Sequence, residues 1–373
     1  MNKIKPRVWL EINLKDLKEN FKIIQNRVKP SKVISVLKAN AYGLGVKKIA
    51  ESLSDAGTHS FGVAELNEAL QLIPLKKNIQ ILGAILPEEI EEALKNKIII
   101  PICEEKTATL ISNIARKKGI IARCHILIDT GMGRLGIRFE KAKKIIPEIM
   151  NLKNISFDGI YSHFPNAYQQ NCPYTKKQIE DFKELLNYLN KKGINFKTIH
   201  IANSDAINNY PETFKNPFNT VRTGINLHGN FDPEGQRSMK LKSILTLKTR
   251  LASIRKLPAG AFIGYGCTYK LPEDTIVGTI SAGYADGLPL ALSNRGYVLI
   301  NGKQCPILGR VSMDYTTISL MQVPESKIGD EVICLGGKGL NEITVDQWAK
   351  LKGTHSYEII CSFGSRVKRI YID

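Results

Sequence analysis

Lys38 closes the apolar run "VISVL" (33–37) inside the stretch "VISVLKANAYGLG". Lysine is almost never fully buried without a partner. Such a lysine marks either a strand end in solvent or an amine held in a pocket, where a lost proton makes it a nucleophile toward a carbonyl. Four more polar residues stand at or just beyond other apolar runs: Arg134 in "DTGMGRLG", His163 in "GIYSHF", Ser204 in "IANSDA" and Arg222 in "FNTVRTGI". A single chemistry unites them, that of a Schiff-base cofactor. The lysine would take its aldehyde, an arginine would face a pyridine ring, and Ser204 with the "TGI" turn (Gly224, Ile225) would take its phosphate. Plain alternatives stand beside each. Lys38 could point to solvent, Arg134 could pair with Asp129 to brace a turn, His163 could be a hydrogen-bonded rim residue, and Ser204 could cap a helix through "NSDA".

These residues converge only if the elements carrying them do. Eight apolar runs occur in the first 225 residues: 33–37, 60–64, 79–84, 98–102, 122–129, 157–163, 198–204 and 218–225. Helical patterns separate most of them. In "YTKKQIEDFKELLNYLNKKG", Ile179, Phe182, Leu185, Leu186 and Leu189 fall on one face, with Gly193 placed for the helix end. Eight strands alternating with helices over this length predict an α/β fold, a TIM-like (β/α)8 barrel. An open doubly wound sheet would want GxGxxG after its first strand, and "LKANAYGLG" does not fit that pattern. In the barrel, the named residues share the C-terminal rim.

Beyond residue 235 the texture changes to short strand-like runs broken by Gly and Pro, with "TVDQWAKLKG" as the one helical pattern and Thr344 as its cap. The expected domains are therefore a barrel over 1–235 and a mostly-β domain over 236–373. The first dozen residues, with "WLEINL", are expected to form a strand on the second domain.

The 373 residues carry a net charge of +18, but their lysines are scattered and form no block of five or six. That reads as a solvated surface, not a nucleic-acid face. No apolar stretch is long enough to span a membrane, and "MNKIKPRVWLEINL" lacks a signal peptide's apolar core; a cytoplasmic protein is expected. Seven dispersed cysteines form no CxxC, and the six histidines show no metal-ligand spacing. Free thiols and no metal are expected, with His125 and His200 in buried structural roles.

"VLKANAYGLG" resembles the pyridoxal-phosphate signature of the alanine racemase family (fold type III). The resemblance continues in family order through "DTGMGRLG", "GIYSHF", "IANSDA", "FNTVRTGI", "IGYGCTY", "GYADGLP", "GRVSMDYTTI" and "THSYEIICSFGSRVKRIY". The ornithine and diaminopimelate decarboxylases share the barrel and its lysine, but their substrate motifs are not seen. The likeness implies an isomerase that interconverts L- and D-alanine with pyridoxal 5'-phosphate, in a homodimer with shared active sites, supplying D-alanine for peptidoglycan. It implies that Lys38 holds the cofactor and acts as one base, and that Tyr265 of the partner subunit is the other. Arg222 would meet the pyridine nitrogen and His163 would support it. Tyr42, Ser204, Gly224, Ile225 and Tyr357 would hold the phosphate. Arg134, Met313, Asp314 and Tyr284 would serve the substrate.

Four departures from the family pattern stand out. A lysine common seven residues before the arginine of "GMGR", carbamylated in many members, is here Leu127. Ser312 replaces a frequent cysteine, "LHGN" (227–230) replaces a common Tyr-Gly pair, and "SHFPNAY" lacks the usual acidic residue. A racemase of other or broader specificity, for serine for example, and a non-catalytic pyridoxal-phosphate protein are the alternatives.

Overall fold

The computed structural model describes residues 6–337 and 339–373, so the first five residues of the opening stretch lie outside it. The chain falls into two units, one of residues 17–241 and one joining the segment up to Asp16 to Lys242–Asp373. It enters through strand β1 (Val8–Asn13) and helix α1 (Leu14–Val28).

Residues 17–241 form the expected (β/α)8 barrel. Its strands are β2 (Lys32–Val36), β3 (Ser60–Val63), β4 (Asn78–Ile81) and β5 (Ile100–Ile102). They continue with β6 (Ala122–Asp129), β7 (Ile155–Tyr161), β8 (Thr198–His200) and β9 (Thr220–Thr223). Neighbours in sequence are neighbours in the sheet and β9 pairs with β2, all in parallel. A bridge between Gln80 and Ile99 joins β4 to the run entering β5, which brings the ring round. Strands of such a sheet are covered on both faces and therefore read as continuous apolar runs. In β2 the four residues after Lys32 are all buried.

Helices α2 (Val46–Asp55), α3 (Leu66–Leu70), α4 (Ile90–Lys95), α5 (Glu105–Lys118), α6 (Phe139–Ile149), α7 (Pro173–Lys191) and α8 (Ser204–Asn209) fill the crossovers. On α7, Phe182, Leu185 and Leu189 are fully buried. Each such side chain contributes about 1.5–3 kcal/mol over leaving it in water. Gly193, at φ 77°, ends that helix as its position predicts.

The segment after Lys38 reverses its hand. Gly43 and Gly45 turn at φ 79° and 98°, and before them Ala39, Asn40, Ala41 and Tyr42 all adopt left-handed backbone, with φ 54°, 54°, 54° and 58°. Ala41 N–H bonds Leu37 C=O at 2.8 Å and Gly43 N–H bonds Ala39 C=O at 2.7 Å, so one left-handed helical turn forms. L-residues resist this by roughly 1–2 kcal/mol each. The rest of the barrel must over-determine the turn.

In the second unit β1 lies between two strands far away in sequence. It pairs antiparallel with β10 (Leu245–Leu257) on one side. The sheet continues through β11 (Thr275–Ile280), β12 (Tyr297–Ile300), β13 (Lys303–Pro306), β14 (Thr316–Ser319) and β15 (Glu331–Leu335). Helix α9 (Val345–Lys352) starts at Thr344, whose hydroxyl accepts the Gln347 N–H, while Gln347 returns a bond to the Thr344 N–H. A second helix, α10 (Ser356–Cys361), is too short to show a periodic pattern. Strand β16 (Lys368–Ile372) then pairs in parallel with the other edge of β1. Among the described residues no helix is long and apolar enough to cross a membrane, and no group of three or more His, Cys, Asp or Glu could hold a metal ion.

Candidate functional site

Arg222, on β9, is buried at the carboxyl end of the barrel strands, and among the described residues no acidic side chain pairs with it. Its guanidinium donates to His200 Nδ1 at 2.6 Å, Ser162 C=O at 2.7 Å, Ile201 C=O at 3.1 Å and His163 Nδ1 at 3.2 Å. It also lies 5.5 Å from the centroid of the Tyr161 ring, which stacks flat on His200 at 4.7 Å. Because a guanidinium can only donate, both imidazoles accept through Nδ1 and are neutral, with their proton on Nε2. The His200 Nε2–H then faces His125 Nδ1 at 3.4 Å. Burial lowers the Arg222 pKa to about 10, so the group remains a cation at neutral pH.

His163 stands beside this cation. Burial, then the charges of Arg222, Arg134 and Lys38, hold its pKa down to about 3. Lys38, Arg134, His163 and Arg222 therefore share one electrostatic neighbourhood. Lys38 itself is exposed, at the exit of a buried strand.

A second cluster joins Tyr42, which follows the exit of β2, to Ser204 and Gly224, which follow β8 and β9. Ser204 does not cap α8; Asn203 does, its Oδ1 accepting the Ala206 N–H at 2.9 Å. The Ser204 hydroxyl instead accepts the Gly224 N–H at 3.1 Å. Tyr42 folds over the same glycine so closely that a Cβ there would sit 2.0 Å from its hydroxyl oxygen. Only glycine leaves that room. Tyr42 packs edge-on against His228, ring centroids 5.0 Å apart, and neither nitrogen of His228 has a hydrogen-bond partner. Tyr42, Ser204, Gly224 and Ile225 are thus brought together; Tyr357 belongs to α10 of the other unit, its ring edge-on to His355.

Arg134 is exposed in a turn fastened by its backbone. Asp129 Oδ1 accepts the N–H groups of Gly131 and Gly133 at 2.9 and 3.0 Å, and Tyr174 donates to Gly131 C=O at 2.7 Å. Asp129 has no bond to Arg134, and its ion-pair partner at 3.9 Å is Arg138. Leu127 is buried under Gly136, where an added Cβ would meet its Cγ at 2.9 Å. The position common to a lysine in the family pattern is here a packing site beneath the turn.

In the second unit, the "GYADG" and "VSMD" segments dock backbone to backbone. The N–H groups of Tyr284 and Ala285 bond Ser312 C=O at 3.0 Å and Met313 C=O at 3.1 Å. Arg366 fixes the pair, bidentate to buried Asp286 at 2.7 and 2.9 Å and bonded to Asp314 at 2.6 Å. Tyr284, Met313 and Asp314 are therefore held in one place. Tyr265, 73% exposed, follows Gly264, whose backbone abuts that of Arg310. His200, Ser162, Tyr161 and Arg366 were not singled out as site residues, although the alternation in "TIHIANS" turns His200 inward.

Comparison with known proteins gives this arrangement a lineage. The family described as "Alanine racemase, N-terminal domain" matches residues 12–231, and "Alanine racemase, C-terminal domain" matches residues 244–371. A protein named alanine racemase from Desulforamulus reducens is 38% identical over 375 residues, covering 99% of this chain and all of its own. The solved alanine racemase of Clostridium difficile 630 superposes with a TM-score of 0.92 at 32% identity, covering 99% of this chain and 97% of its own. That of Bartonella henselae, described "with covalently bound pyridoxal phosphate", gives 0.88 at 30% identity over 99% of this chain and 100% of its own. Both family domains in order, and full-length relatives that share the fold, lead to one conclusion: the chain belongs to the alanine racemase family, isomerases that racemise an amino acid.

Proposed function

We propose that this protein interconverts L- and D-alanine with pyridoxal 5'-phosphate, in the cytoplasm, supplying D-alanine for peptidoglycan. The reading is supported most by Arg222, a buried cation held by two neutral imidazoles and two backbone carbonyls, standing beside His163 in the neighbourhood of Lys38. Pyridoxal phosphate, when bound, supplies an electron sink for the carbanion left when the α-proton departs.

Racemisation removes a proton from one face of the α-carbon and returns one to the other, which takes two bases. Lys38 holds the cofactor and moves the proton on one face; Tyr265 of the partner subunit does so on the other. Arg222, which can only donate, would face the cofactor ring without yielding its proton, and His163 would steady that arginine. Tyr42, Ser204, Gly224, Ile225 and Tyr357 hold the phosphate. Arg134, with Met313, Asp314 and Tyr284 of the partner, receives the substrate carboxylate and lines its entry. The homodimer is supported by exposure: Tyr265, Met313 and Tyr284 stand 73%, 53% and 47% exposed. The domains are taken as a phosphate-binding barrel and a β domain that completes the partner's site.

Turnover of L-alanine, measured against L-serine and L-lysine, tests the substrate; negligible alanine turnover overturns it. α-Proton exchange in heavy water separates a racemase from a protein that only carries the cofactor. Gly224→Ala tests the phosphate pocket. Its Cβ would collide with the Tyr42 hydroxyl, and overpacking of this kind costs about 1–3 kcal/mol. Pyridoxal-phosphate affinity should fall by roughly ten- to a hundredfold, with the circular dichroism unchanged. Unaltered affinity would remove Tyr42 and Gly224 from the pocket.

A further inference from the structure

Glu68, on α3, lies outside the groups bonded to Arg222 and outside the Tyr42–Ser204–Gly224 cluster. Its carboxylate reaches instead to the backbone at the exits of two neighbouring strands. Oε1 accepts the N–H of Ala39 at 2.5 Å, and Oε2 accepts the N–H of Ala64 at 2.9 Å. Ala39 immediately follows Lys38 and opens the left-handed turn. The first N–H groups of a helical turn have no partner within it, and that holds for a left-handed turn as for a right-handed one.

The far end of the turn is fastened independently. Asn40 Oδ1 accepts the Val46 N–H at 2.8 Å, and the Gly45 N–H bonds Asn40 C=O at 3.0 Å. On the near side, the Leu37 N–H bonds Gly62 C=O at 2.8 Å. Glu68 thus continues the β2–β3 pairing by one side-chain bridge at the point where the chain leaves the sheet and reverses its hand. The direction in which the Lys38 side chain leaves the rim depends on this junction.

We propose that Glu68 is a positioning residue for Lys38: by tying Ala39 to Ala64 it holds the left-handed turn that aims the lysine amine at its target. The proposal rests on Lys38 being the cofactor-bonding lysine. A carboxylate can accept from both N–H groups, whereas a carboxamide offers one acceptor oxygen and sets its NH2 against the other N–H. Glu68→Gln preserves size and breaks the bridge; Glu68→Asp keeps both acceptors on a shorter arm.

The test compares covalent and non-covalent capture in the dimeric apoenzyme. Pyridoxal phosphate is added, and its bond to Lys38 is trapped by borohydride and located by peptide mass spectrometry. Pyridoxamine phosphate, which cannot bond to lysine, reports on the phosphate pocket alone. Glu68→Gln should slow trapping at Lys38 about tenfold and speed amide exchange at Ala39. The pyridoxamine phosphate dissociation constant should stay within about twofold, and Glu68→Asp should recover part of the rate. Trapping and Ala39 exchange at the wild-type rate in Glu68→Gln would overturn the proposal, as would equal losses with both ligands. Failure of the wild-type protein to trap at Lys38 would instead overturn the assignment of the lysine.

Discussion

Tyr265→Phe should reduce racemisation by about 10³-fold while D-alanine continues to exchange its α-proton with heavy water. The magnitude is that of a lost general base, on the order of 10²–10⁴. The exchange follows from the two faces. With the phenol gone, Lys38 still removes and returns the proton on its own side, but nothing completes the inversion. Deuterium should therefore enter D-alanine without L-alanine appearing. Lys38→Ala should abolish that exchange. Steady-state rates in the two directions cannot separate these arms. The enantiomers are mirror images with an equilibrium constant of one, so any variant loses kcat/KM equally both ways. Racemisation intact in Tyr265→Phe, or exchange lost together with it, would refute the proposed division of labour.

The barrel should weaken steeply between about pH 6.5 and pH 4. His125, His200 and His228 are buried and neutral. Burial lowers His125 to about 4, and His163 and His228 to about 3, and it holds His200 well below its ordinary value with help from the Arg222 charge. The unfolded chain takes up these protons below its ordinary histidine value near 6.5, and the folded chain does not. Stability is then fully present above that value and lost as pH falls. Each group contributes at most about 1.4 kcal/mol per pH unit. One group acts in the opposite sense. Burial and the neighbouring Asp232 raise Asp205 to about 6, so it protonates first in the folded chain. The net slope is roughly 4 kcal/mol per pH unit, against the 5–15 kcal/mol typical of a whole domain. Urea midpoints at pH 7, 6 and 5 should fall progressively, and His228→Phe should flatten the fall by removing one partnerless imidazole. A midpoint constant from pH 7 to pH 5 would contradict the burial of these rings as neutral groups.

The barrel strands were legible because residues covered on both faces must be apolar. "VISVL" and "ARCHILID" announce themselves without alternation. The rim residues were legible for the converse reason, since a lysine or arginine ending such a run needs an explanation. Local backbone choices were not. Nothing in "KANAY" signals a left-handed turn, because alanine is the strongest right-handed helix former and the turn is imposed by bonds from elsewhere. A capping role for Ser204 stayed open as the alternative because "NSDA" offers two candidates, and only the fold shows that Asn203 takes it. Glu68 in "AELNEAL" is indistinguishable from a solvated helix face. Its two partners, Ala39 and Ala64, are backbone groups with no sequence signature at all.

The placement of β1 has a consequence for how the molecule is made. Trp9 pairs with Lys368 and with Lys248 across its two edges, so β1 must wait for β16, which is made long after it. The barrel needs only residues 17–241, a continuous stretch, and can close while synthesis continues. Until the final strand arrives, β1 has an unpaired edge on a nascent chain, the kind of exposed template that invites mispairing with another copy. Its alternate Glu11, paired with Lys248 at 3.0 Å, is a charge placed where such mispairing would begin.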